Sequence, residues 1–192
     1  MAGTRRSTGV YQPRSRRAAF ADALADARYA VVRALKIALL RGAGALVFLA
    51  SCAGLLALAT FSAGDASLDT ATAREASNWL GGFGATAAEL LLRTFGIAAL
   101  IFLAAPAIWG ARAMTGRSLS RPMWRAVAWP LATMFVAGGL GILPKLEALP
   151  AGTGGLFGLA VVGLSRHAGQ AYQQPWLASV VPLVLLVVGV PL

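Results

Sequence analysis

Long apolar runs separated by short polar segments dominate the chain, and the first of them is the clearest. From Gly42 to Gly64 no charged residue occurs. About 20 helical residues, at a rise of about 1.5 Å each, cross a hydrocarbon core of roughly 30 Å, so this run suffices for one span. Just before it, Phe20, Ala23, Leu24, Ala27, Val31 and Leu35 recur at spacings of three and four, with Asp22, Asp26 and Arg33 off that stripe. This periodicity predicts an amphipathic juxtamembrane helix over 19–36 that lies on a membrane surface or leads into the span. Residues 1–18 lack apolar periodicity and read as a disordered basic tail. A twin-arginine export signal is disfavoured, because charged residues separate Arg16 and Arg17 from the apolar run.

A second apolar stretch begins near Ala85 and is uncharged from Thr94 to Ala111. Pro106 within it suggests a kink, while Glu89 and Arg93, four apart, can pair near the outer interface. A third runs from Ala126 to Pro144, and a last from Pro175 to Leu192. Between these two, Gly152, Gly154, Gly155, Gly158 and Gly163 crowd an apolar segment of barely spanning length. If that segment is a full span, the helices number five. If it is re-entrant or interfacial, there are four spans, at about 40–62, 90–111, 125–144 and 175–192, inside a membrane domain covering 37–192. The second count is preferred, and the expected fold is an all-α polytopic membrane bundle with a Gly-rich segment before its last helix.

Charge sets the orientation. Residues 1–41 carry a net +7, residues 61–93 a net −2, residues 112–125 a net +4 and residues 145–174 a net +1. Lysine and arginine favour the cytoplasmic side of a span. Arg33, Lys36 and Arg41 therefore place the N-terminal flank in the cytoplasm, and Arg112, Arg117, Arg121 and Arg125 place the second connection there. Four spans then put both termini inside. Hydrophobic residues make up 58% of the chain and charged residues 12%, about half the charged share of a soluble domain.

Little catalytic chemistry is available. The single cysteine, Cys52, lies within the first apolar run and reads as a packing residue, and one histidine with seven scattered acids forms no metal-ligand cluster. The glycine clusters at 78–84 and 151–158 lack the lysine of a phosphate-binding loop and read as turns and close helix contacts. No charged residue occupies the centre of a span, which disfavours a proton relay or ion-coupled transporter. Neither a catalytic set nor a cofactor is expected. The basic tail suits anionic lipid better than DNA, for it lacks the interleaved aromatics that stack on bases.

The arrangement resembles the N-terminal four-helix membrane domain of the FtsK/SpoIIIE family of DNA translocases. At the end of the first span Ser62, Asp65 and Ser67 keep that family's polar positions, while Ala63, Gly64 and Ala66 replace its asparagine and prolines. Asn78, Gly81, Gly84, Ala85, Ala88, Glu89, Phe95 and Gly96 then follow in the family's order, with glutamate where aspartate is usual, and Gly154, Gly155 and Gly158 fit its later G-G-x-x-G signature. The resemblance implies an anchor at the division septum of the bacterial inner membrane, tethering a cytoplasmic ATP-driven motor that moves chromosomal DNA during segregation. The motor itself would lie beyond this sequence, so any ATPase activity and DNA contact would belong to it. Membrane lipids, further copies of the chain and other septal membrane proteins are the expected partners. Two alternatives stand beside this reading: a stand-alone membrane scaffold of the division site, and a small transporter or channel.

Overall fold

The computed structural model describes residues 16–65, 75–117, 122–146 and 148–189, and every regular element among them is helical. In chain order these are α1 (Arg16–Ala59), α2 (Gly81–Phe95), a 3-10 turn (Gly96–Ala98), α3 (Ala99–Met114), α4 (Pro122–Leu140), α5 (Gly155–Ala171) and α6 (Leu177–Gly189). The chain divides into two units, one up to Leu40 and one from Arg41 onward. In the first, the expected tail up to residue 15 lies outside the described residues. The rest of that unit is helix with Phe20, Leu24, Val31 and Leu35 exposed beside Arg33 and Lys36. No proline or glycine occurs between Arg16 and Arg41, so the juxtamembrane helix and the first apolar run form one continuous helix.

Within the second unit, small residues set the helix pairings because they let backbones approach closely. Gly44 abuts Gly110 and Ala113, and Gly54 abuts Leu103, so α1 and α3 run antiparallel. Ala98 packs with Val136 and Ala137, while Phe102 and Trp109 both meet Trp129, which makes α3 and α4 antiparallel as well. Gly139 faces Pro182 and Leu186, and Gly189 faces Phe135 and Val136, so α6 also opposes α4. α1 and α4 therefore end at the same end of the bundle. At the other end α3 finishes and α4 begins, bringing Arg112, Arg117 and Arg125 to that end. Arg121 lies outside the described residues.

Two stretches, Phe20–Ala59 and Gly81–Met114, are long and apolar enough to cross a membrane, and Leu177–Gly189 is apolar but shorter. Large apolar side chains such as Leu46, Leu49, Ile108, Val127, Leu183 and Val187 stand exposed on the bundle, a surface suited to lipid rather than water. The stretch Gly81–Met114 is not one rod. Its 34 residues would reach about 50 Å as a straight helix, well over the hydrocarbon thickness, and the chain breaks it at Gly96–Ala98. Gly96 takes φ +60°, which L side chains rarely adopt, and this ends α2. Pro106, where the sequence suggests a kink, lies inside the continuous helix α3.

The helix prolines leave a specific trace. A proline within a helix removes the hydrogen bond to the carbonyl four residues earlier. For Pro106 that carbonyl is Phe102 O, and the Trp129 indole Nε1 donates to it at 2.8 Å. For Pro182 it is Ala178 O, which the Ser165 hydroxyl only approaches, at 3.5 Å, while donating to Val162 O of its own helix at 3.0 Å. An orphaned carbonyl such as Phe102 O, re-satisfied from a neighbouring helix, is what an apolar surrounding demands, since no water is there to donate instead.

Candidate functional site: two joints holding α2

The family-motif residues gather at the end of the bundle where α1 and α4 finish, and they form two joints, one at each end of α2. The first is polar. Asp65 Oδ1 accepts from the Ser77 backbone N–H at 2.9 Å and from the Ser77 hydroxyl at 2.7 Å, and Asp65 Oδ2 accepts from the Asn78 N–H at 3.1 Å. The buried Asn78 carboxamide donates through Nδ2 to Ala57 O at 2.8 Å and Thr60 O at 3.2 Å. These are carbonyls at the C-terminal end of α1, which lack intrahelical donors. Asn78 Oδ1 in turn accepts from Leu80 N–H at 3.1 Å, forming an Asx-type turn that starts α2.

Glycines make room for this joint. A Cβ on Gly84 would overlap the Asn78 carboxamide and lie 2.5 Å from Leu80 Cβ, and Gly81 takes φ +66°. Ser62 is half-buried next to the joint in sequence, whereas Ser67 lies outside the described residues. Thr60 and Ser77 are not singled out by the sequence. The signal for Ser77 is its position directly before the motif asparagine.

The second joint has hardly any side-chain chemistry. The Ile97 N–H donates to Thr153 O at 2.9 Å, and the Thr153 hydroxyl donates to Leu140 O at 2.8 Å at the end of α4. Gly155, at φ +61°, leaves no space for a Cβ, which would stand 2.6 Å from both Gly96 N and Thr94 O. Gly154 and Gly158 press instead on α4, where Cβ atoms would meet Ala137 O and the backbone of Gly141. The G-G-x-x-G residues thus divide their work, the second touching the turn after α2 and the first and last touching α4. Thr153 is the residue sequence reasoning missed here, a lone hydroxyl amid glycines. Phe95 leads the aromatic series beside this joint, its ring stacked on Phe102 at 5.1 Å and on Phe157 at 5.6 Å.

Between the joints, Gly84, Ala85, Ala88, Glu89 and Leu92 form the buried face of α2. Glu89 is only 8% exposed, and its Oε2 has no hydrogen-bond partner among the described residues. Arg93 does not serve as a partner for that oxygen, though it is itself engaged. Glu89 lies on the buried stripe of α2, while Arg93, one turn on, is half-exposed. No cluster of histidine, cysteine and acids able to hold a metal ion occurs among the described residues.

Comparison with known proteins supplies a family for this chain. Residues 36–191 match the family described as the 4TM region of DNA translocase FtsK/SpoIIIE. The chain belongs to this family. A DNA translocase FtsK of Bradyrhizobium diazoefficiens is 41% identical over 108 residues, covering 55% of this chain and 13% of that protein. The Mesorhizobium japonicum FtsK is 33% identical over 145 residues, covering 74% and 16%, and that of Brucella suis is 31% identical over 160 residues, covering 82% and 18%. The chain thus spans less than a fifth of the length of these FtsK relatives. No solved structure matches it. Both joints fall within the matched FtsK/SpoIIIE membrane region.

Proposed function

We propose that this chain is the membrane anchor of a cell-division DNA translocase, holding a cytoplasmic ATP-driven motor at the septum of the bacterial inner membrane during chromosome segregation. The match of residues 36–191 to the 4TM region carries the reading. In it, α1, α3, α4 and α6 are the four spans, and α5 is an interfacial helix rather than a fifth. Their alternating directions support that count, as α1 and α4 run one way and α3 and α6 the other. The arginine end is cytoplasmic, with Arg41, Arg112, Arg117, Arg121 and Arg125 flanking the spans there, and Arg33 and Lys36 preceding the first of them. The end bearing α2, Asp65 and α5 faces outward. Lipid, further copies of the chain and other septal membrane proteins are its partners, and DNA is reached only through the motor.

Paired cytoplasmic and periplasmic reporters fused after Leu192 test the topology, and a fluorescent fusion in dividing cells tests the location. Activity of the cytoplasmic reporter with a mid-cell band is expected. A periplasmic C-terminus would overturn the four-span reading, and uniform membrane fluorescence would overturn the septal one.

A further inference from the structure

We propose that α2 is not the opening half of a span but an in-plane helix at the outer membrane interface, with its exposed face resting in lipid. The inference rests on the anchor reading, in which α1 and α4 cross the membrane. Its start is tied to the end of α1, through Asn78 to Ala57 and Thr60. Its finish is tied to the end of α4, through Ile97 to Thr153 and Thr153 to Leu140. Because α1 and α4 run in the same direction, both anchor points lie at the same end of the bundle. A 15-residue helix about 22 Å long whose two ends are held at one level must lie across the bundle rather than along it.

The exposed face fits the lipid interface in particular. Trp79 is 77% and Phe83 86% exposed, and Leu90 continues their stripe with half-buried Thr86, Ala87 and Thr94. The two threonines present no free donor, for Thr86 Oγ1 bonds Gly82 O at 2.9 Å and Thr94 Oγ1 bonds Leu90 O at 2.7 Å. That leaves an apolar surface with a tryptophan at one end, beside the polar cluster of Asp65, Ser77 and Asn78. Tryptophan concentrates at headgroup level, and an amphipathic helix with its apolar face toward the acyl boundary lies flat there.

The test is membrane depth along the helix. In a Cys52→Ser background reconstituted into phosphatidylethanolamine–phosphatidylglycerol vesicles, spin labels are placed singly at Phe83, Ala87, Leu90 and Thr94, with Ile108 of α3 as control. Relative accessibility to oxygen and to a polar paramagnetic reagent reports depth. The in-plane helix gives the same shallow depth at all four α2 positions, with oxygen reaching each. A spanning α2 would instead deepen by about 10 Å from Phe83 to Leu90, and this result overturns the proposal. Equal depth with both reagents excluded would mean that protein covers the face, which overturns its assignment to lipid. A control at Ile108 that fails to read as lipid-embedded would sink the anchor reading itself, separately from any gradient within α2.

Discussion

The two joints of α2 fasten the same helix by opposite means. At its start, side chains do the fastening: a carboxylate and a carboxamide collect five backbone groups and a hydroxyl into one network. At its end, fastening depends on the absence of side chains, with Gly155 against the Gly96 turn and Gly154 and Gly158 against α4. The first joint therefore fails when its side-chain partners are removed, or when Gly84 gains a Cβ against Asn78, whereas the second fails chiefly when atoms are added. In both, the underlying need is the same, since unpaired backbone groups near an apolar surrounding cost several kcal/mol each. A polar network meets that need with partners. Glycines meet it by letting backbone reach backbone.

The largest effect is expected at the second joint. Gly155→Ala places a methyl 2.6 Å from Gly96 N and Thr94 O, both backbone atoms that cannot swing away, at a φ of +61° that strains any L residue. Overpacking of this kind costs about 1–3 kcal/mol, and the unfavourable φ adds about 1 kcal/mol or more. Thermal unfolding in detergent is expected to show a loss for this variant at least as large as that for Asn78→Ala at the polar joint. Gly81→Ala separates the two contributions, for Gly81 also has positive φ but, among the described residues, nothing within 4 Å of an added Cβ. If Gly81→Ala is as damaging as Gly155→Ala, backbone strain rather than close approach governs the second joint.

Asn78→Ala comes next. It leaves Ala57 O and Thr60 O without the Nδ2 donor and Leu80 N–H without its acceptor, at a buried site. Each unsatisfied group costs about 1–3 kcal/mol, and partial access of water lowers the total to about 2–4 kcal/mol. Asn78→Asp keeps the acceptor but removes the donor and places a second carboxylate beside Asp65, so it is expected to be at least as harmful as alanine. Equal stability of Asn78→Ala and the parent chain would show that water replaces the carboxamide and that the polar joint is dispensable.

How far these joints are legible in the sequence follows from the same contrast. Helical spans, arginine flanks and the motif residues Asp65, Asn78, Gly81, Gly84, Gly96, Gly154, Gly155 and Gly158 are visible there, because apolar runs and spacing are local properties of the chain. Their partners are not. That Asn78 seeks Ala57 and Thr60, or that Gly155 meets Gly96, depends on which segments fold next to each other, and backbone carbonyls carry no sequence label. The break at Gly96 is hidden for a further reason: Pro106 looks the stronger breaker, yet its freed carbonyl finds Trp129 and α3 continues. Glu89 misleads because a spacing of four from Arg93 suggests a pair, whereas Glu89 is buried and its Oε2 has no partner among the described residues.

The Trp129 bond offers a third kind of fastening, a side chain repairing a backbone defect inside the bundle. Trp129→Phe keeps a ring available to stack on Phe102 but removes the donor to Phe102 O, and a loss of about 1–3 kcal/mol is expected. Pro106→Ala restores an N–H within α3 and supplies the carbonyl from its own helix. In a double-mutant cycle, Trp129→Phe should therefore cost less in the Pro106→Ala background, a coupling of about 1 kcal/mol or more. Additive effects would show that Trp129 acts by packing alone and that side-chain fastening is confined to the first joint.

The smallest effect marks where the glycine argument stops. Gly163 belongs to the same crowded segment as Gly155 and Gly158, yet an added Cβ there meets nothing within 4 Å, and its position is mid-helix in α5 with no positive φ. Gly163→Ala then acts only through helix propensity, which favours alanine by about 0.5–1 kcal/mol. A slight rise in the unfolding temperature is expected, opposite in sign to the effect of Gly155→Ala at the start of the same helix. Destabilisation by Gly163→Ala would mean that something outside the described residues, such as another chain, approaches α5 at that point, since among them the space is open.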